Sequence, residues 1–194
     1  MRPGGLVAYG RGVREDVVIR AEADSDWGAV GRVHEEAFGD GGRVAALVCD
    51  LRSTPAPLAP ASLVAAVGDL VVGHVMLSFS RLDAPPRLVD VYVLSPVGVR
   101  PGFQRRGIGT ALVRQALAAA SQRAVPLVFL EGSPDYYGPR GFTRADELGF
   151  RAPSLRIPPP GFQVACLPGY EPWMTGTLVY ADPFWAHDCV GLRP

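Results

Sequence analysis

The most constraining stretch of this chain is LSPVGVRPGFQRRGIGTALVRQAL, residues 94–117, because the spacing of its apolar positions changes period part-way along. Residues 88–99 are a long apolar run that reads as a strand, and the Pro101-Gly102 pair redirects the chain after it. Over residues 106–124, Ile108, Leu112, Val113, Ala116, Leu117 and Ala120 recur at the spacing of one buried helix face. Strands are predicted before, beside and after this helix, so the economical architecture is an α/β domain with a mixed sheet.

The rest of the chain fits that frame. An apolar run at residues 17–21 suits a first strand, and Asp24 or Ser25 can cap a helix running through His34 and Phe38. Trp27, Val30, Val33, Ala37 and Phe38 share its helical spacing. A second helix is expected over 43–51, followed by a Pro-rich surface loop, STPAPLAPAS. Gly68-Asp69 between residues 63–67 and 70–79 predicts a hairpin. Residues 126–131 form the short continuous apolar run of a strand in a parallel pair, and final strands are expected near 162–167 and 175–180. Residues 1–16, rich in Gly and Arg without periodicity, read as a flexible leader, and 17–194 as a single domain.

Nineteen basic residues balance nineteen acidic ones. There is therefore no cationic surplus for nucleic acid or for an anionic membrane, and any anion site must be local. All the basic residues are Arg, and Lys is absent. Cys49, Cys166 and Cys189 are widely spaced with no His at zinc spacing, so no metal is expected and a reducing cytoplasm fits. No signal peptide or membrane span is visible.

The segment at the start of the long helix carries chemistry. Its glycines let backbone N–H groups approach a ligand, and the helix N-terminus adds unsatisfied donors and about half a positive charge. Together these make a pyrophosphate cradle, with Arg100, Arg105 and Arg106 as local cations. No Gly-Lys-Ser/Thr follows, and the glycines do not follow the first strand of a dinucleotide unit, so those nucleotide motifs are excluded. A tight strand-to-helix turn with solvated arginines is the plain alternative. Further on, LVFLEGSPDYYGPRGF places Tyr137 four residues before Gly141-Phe142. A phenol there is protonated at neutral pH and can donate to a developing anion. Glu131, at the end of its strand, is a candidate base, with His34, His74 and Asp90 as weaker ones.

The Gln104-Arg105-Arg106-Gly107-Ile108-Gly109 loop, the Tyr137 to Gly141-Phe142 spacing and their order resemble the GCN5-related N-acetyltransferase (GNAT) superfamily. The C-terminal strands are similar to its YhbS-like subgroup of bacterial acetyltransferases. The resemblance implies an α/β, GNAT-like (acyl-CoA N-acyltransferase) fold: a central mixed, mostly antiparallel sheet with splayed parallel strands, flanked by helices. It implies acetyl-CoA as cosubstrate, its pantetheine arm along Val97 and Val99 and its pyrophosphate on Gln104, Arg105, Arg106, Gly107, Ile108, Gly109 and Thr110. It also implies direct attack by an acceptor amine, on a small molecule or a protein, with Tyr137 as acid. Trp27, Phe38, Trp173, Tyr180 and Trp185 become candidates for the acceptor groove, while Ser133 replaces the larger polar residue common in relatives. A monomer or homodimer is expected, and a chain without Lys cannot acetylate its own lysines. The alternative function is a non-catalytic acetyl-CoA sensor or interaction domain on the same fold.

Overall fold

The computed structural model describes residues 16–191, so nearly all of the expected leader lies outside the described residues. The order is β1 (Val17–Ala21), α1 (Trp27–Phe38), α2 (Arg43–Ser53), β2 (Ala61–Val67), β3 (Leu70–Asp83), β4 (Leu88–Val99), α3 (Ile108–Gln122) and β5 (Leu127–Glu131). Then come α4 (Pro134–Tyr137), β6 (Thr143–Arg144), β7 (Phe150–Arg151), β8 (Phe162–Cys166), β9 (Gly176–Val179) and α5 (Asp182–Ala186). Along one sheet the strands run β1-β2-β3-β4-β5-β8-β6, while β9 pairs with the far end of β3 and with β7. Pairing is mostly antiparallel; β4 with β5, and the short β7 with β9, are parallel.

Strand alternation decides which helices cover which face. Val89, Val91 and Val93 of β4, with Leu127 and Phe129 of β5, pack into one core with Val30, Val33, Leu47, Val48 and Leu51 of α1 and α2. Tyr92 and Leu94, with Val128 and Leu130, face the opposite core, where α3 buries Ile108, Leu112, Val113, Ala116 and Ala120. The continuous apolar run in β5 is thus accounted for by burial on both faces, between β4 and β8.

The hairpin is present, with both strands longer than expected. The long helix begins at Ile108 rather than 106, because Arg105 (φ 59°) and Gly107 (φ 83°) are left-handed and cannot be helical. Neither Asp24 nor Ser25 caps α1: a short 3-10 turn occupies Asp24–Asp26. The Asp26 carboxylate accepts the Ala23 N–H at 2.8 Å and Arg20's fork at 2.6 and 2.9 Å. Asp40 does for α2 what was expected of those residues, accepting the N–H groups of Gly42 (3.1 Å) and Val44 (2.9 Å). The two-residue strands β6 and β7 and the helix α5 had no periodicity to announce them.

Candidate functional site

β4 and β5 pair only at Tyr92 with Val128 and Val93 with Phe129, then diverge. A bulge marks the divergence: β3 pairs Val75 with Val97 but Leu77 with Leu94, so β4 carries an extra residue around Ser95-Pro96. Beyond it β4 stays on β3, and the Arg100 N–H bonds Val72 C=O at 2.9 Å. In an antiparallel ladder this makes Gly98 opposite His74 a hydrogen-bonded pair and turns the N–H and C=O groups of Val97 and Val99 toward the gap. Gln104 Nε2 bonds Val99 C=O at 2.9 Å across the start of the loop.

A cavity of about 450 Å³ lies on the α3 side, lined by Val97, Val99, Phe103, Gln104, Arg105, Gly107, Ile108, Gly109, Thr110, Tyr136, Tyr137 and Arg140. Ala111 is the first residue of α3 whose N–H finds a helical acceptor, Gly107 C=O at 3.0 Å. The preceding N–H groups of Ile108, Gly109 and Thr110 are the free donors of the helix start, aimed where an anion would sit. Eight of the nine residues expected to hold the cosubstrate border this cavity. Arg106 does not; its guanidinium lies over the Phe103 ring, 5.2 Å from the centroid, and Arg100 is engaged by Glu36 at 2.8 and 2.7 Å.

A second cavity, about 390 Å³, lies on the α1–α2 side. It is lined by Phe38, Asp40, Arg43, Val44 and Leu47, the bulged part of β4, Glu131, Tyr137, Tyr180, Phe184, Asp188, Cys189 and Gly191. Val97 and Tyr137 border both cavities. Of the expected groove aromatics, Phe38 and Tyr180 line this one; Trp27 stacks with Arg52 and Trp173 with Arg87, and neither is among its lining residues, nor is Trp185.

Tyr137 is fixed by a ring contact with Phe142 (5.8 Å between centroids) and by Gly132, where any Cβ would collide with its ring. Burial, with Tyr136 beside it, pushes the Tyr137 phenol up to about 12, against a smaller downward pull from Arg140. Gly109 plays the matching part on α3, since its bare Cα admits the Tyr136 hydroxyl. Glu131 accepts the Tyr180 O–H at 2.7 Å and the Gly191 N–H at 2.9 Å. Burial nevertheless outweighs both bonds and raises its pKa, which favours a carboxylate able to take a proton.

The remaining candidates lie elsewhere. His34 and His74 are wholly buried and bonded to one another, and Asp90 and Ser133 are exposed. Sequence reasoning missed Tyr180 as the partner of Glu131, and it missed Arg140, which stands next to Gly141 inside the motif that located Tyr137.

A sheet that splays beside a helix N-terminus, with a partly buried phenol bordering two cavities, fits an acyl-transfer type of site. The chain belongs to the GNAT acetyltransferase family: the model of the Acetyltransferase (GNAT) domain matches residues 18–145. It is 29% identical to the uncharacterized N-acetyltransferase YjhQ of Escherichia coli K12, over 82% of this chain and 89% of that one. Its fold is similar to the GNAT family N-acetyltransferase YhbS of Escherichia coli, solved in complex with CoA (TM-score 0.77, 23% identity, 91% of this chain and 96% of that chain). It is also similar to a GNAT family acetyltransferase from Brucella melitensis, solved in complex with acetyl-CoA (TM-score 0.70, 26% identity, 88% and 99%). Among the described residues no helix is long and apolar enough to cross a membrane, and no cluster of side chains could hold a metal ion.

Proposed function

We propose that this acyltransferase is an acetyl-CoA-dependent N-acetyltransferase in which an acceptor amine attacks the thioester directly. The observation that carries the reading is Tyr137 on the wall common to both cavities, where the sulfur of one substrate would meet the amine of the other. The cavity beside α3 suits acetyl-CoA: free N–H donors face its diphosphate, and the outward backbone of Val97 and Val99 can pair with the amide-rich pantetheine arm. The two relatives solved with CoA and acetyl-CoA support the same assignment.

The amine nitrogen forms a bond to the acetyl carbon while the carbonyl π pair moves to oxygen. As that pair returns, the C–S bond breaks, and the Tyr137 O–H gives its proton to the departing sulfur. The proton shed by the acceptor nitrogen passes to the Glu131 carboxylate, which Tyr180 and the Gly191 N–H hold in place. Burial favours the neutral phenol, so Tyr137 is reprotonated from the proton taken up by Glu131, and both groups return to their starting states. Acceptors on small molecules or on protein amines both fit this chemistry.

The test is Tyr137→Phe, assayed for CoA release over a panel of amines, with acetyl-CoA affinity by calorimetry. Affinity is expected to persist while turnover falls about 10²- to 10⁴-fold. Unchanged turnover overturns the role of Tyr137. Tight acetyl-CoA binding by the unaltered protein without turnover of any amine would instead favour a sensor.

A further inference from the structure

We propose that Arg140 is a ligand of the coenzyme diphosphate, adding a side-chain cation to the cradle beside the first turn of α3. This rests on the acetyl-CoA reading above and adds a residue to it.

Arg140 follows α4, borders the α3-side cavity and is only partly exposed. Its guanidinium carbon lies over the Tyr136 ring, 3.7 Å from the centroid, in cation–π contact. Nε and Nη2 donate to Thr110 Oγ1 at 3.1 and 2.6 Å, and Nη1 donates to Tyr136 C=O. Those bonds occupy the Nε hydrogen and one hydrogen on each Nη, leaving the second hydrogen of each Nη for a ligand. Thr110 is in the first turn of α3, and its own N–H is one of the free donors of that turn. The unused hydrogens of Arg140 and the free N–H groups therefore border one space, the cavity lined by Gly107, Gly109, Thr110 and Arg140.

Among the described residues Arg140 forms no ion pair, unlike Arg20, Arg52, Arg100, Arg144 and Arg156. A partly buried guanidinium without a carboxylate, fixed by three neutral contacts, is organised in advance for an oxyanion that arrives with the ligand. Of the Arg105 and Arg106 pair, more obvious in the sequence, Arg105 also borders this cavity, while Arg106 lies over the Phe103 ring. The contact with Tyr136 in turn depends on Gly109, whose missing Cβ lets the Tyr136 hydroxyl settle against the first turn of α3.

Calorimetric titration of the intact protein and of Arg140→Gln and Arg140→Lys, each with CoA, dephospho-CoA and pantetheine, tests this. For Arg140→Gln, affinity is expected to fall about 10- to 100-fold for both CoA and dephospho-CoA and to stay unchanged for pantetheine. Arg140→Lys is expected to be intermediate, since it keeps the charge and loses the fork. A loss with CoA that vanishes with dephospho-CoA would assign Arg140 to the 3′-phosphate and overturn the diphosphate assignment. An equal loss on all three ligands would make Arg140 a structural staple between α4 and α3, and no loss on any would refute it as a ligand. Failure of the intact protein to bind CoA would refute the acetyl-CoA reading itself.

Discussion

Acidification should destabilise this protein more steeply than its surface charges alone would. His34 of α1 and His74 of β3 are fully buried, with His34 Nε2 2.7 Å from His74 Nδ1 and His74 Nε2 2.7 Å from Ser62 Oγ. His34 Nδ1 has no hydrogen-bond partner among the described residues and is pressed against Gly98 of β4. Burial and the positive charge of Arg52 lower the His34 pKa to about 4 from 6.5, against a small opposing pull from Asp40. His74 is displaced in the same direction by burial, by His34 and by Arg52. A folded-state value below the unfolded one means that the stabilisation is complete above about pH 6.5 and is lost as the pH falls toward about 4. For His34 alone the loss is about 2 kcal/mol by about pH 5, and about 3 kcal/mol once both states are protonated. In a chain of this length the first figure lowers Tm by about 4–8 °C. His34→Gln keeps a group able to bond His74 but cannot titrate. Urea unfolding at pH 8 and pH 5 should therefore give the unaltered protein the steeper loss, by about 2 kcal/mol. Parallel stability–pH curves for the two proteins would refute this account of the buried pair.

Other outcomes follow from the site. Gly132→Ala should displace the Tyr137 ring and lower kcat about a hundredfold with little change in acetyl-CoA affinity; unchanged kcat would mean that the ring position is not critical. Tyr180→Phe removes a bond that lowers the Glu131 pKa, so the acidic limb of the kcat/KM profile should move to higher pH. A stationary limb would show that another group is the base. Gly109→Ala should weaken acetyl-CoA binding about tenfold or more by evicting Tyr136 from the first turn of α3, a change that calorimetry would read directly.

The sheet and its helices were legible because their signals are periodic and local. The α3 face and the continuous run of β5 follow from residue spacing, and the tight turn into α3 follows from the glycines at the helix start. What stayed hidden depends on contacts distant in sequence. Tyr180 meets Glu131 across forty-nine positions and Gly191 meets it across sixty, and neither segment carries a local sign of the encounter. The cap of α1 was misassigned because Asp26, two residues past Asp24, is drawn back to Arg20 by an ion pair that no helix rule contains. Arg140 borders the α3-side cavity and Arg106 does not, a difference of placement that local sequence does not reveal, since each guanidinium lies over an aromatic ring, Tyr136 for one and Phe103 for the other.

Among the described residues the two cavities share Val97 and Tyr137 alone. One is assembled from β4, the α3 loop and α4, while the other draws its walls largely from the end of α1, the start of α2 and the segment around Phe184 to Gly191. If the proposed division of donor and acceptor between them holds, selection, or a protein engineer, could replace residues such as Phe38, Arg43 or Asp188 to admit a new acceptor while the walls of the donor cavity are left intact. On the proposed assignment the molecule would be a fixed donor cassette with an interchangeable acceptor face, hinged on one phenol.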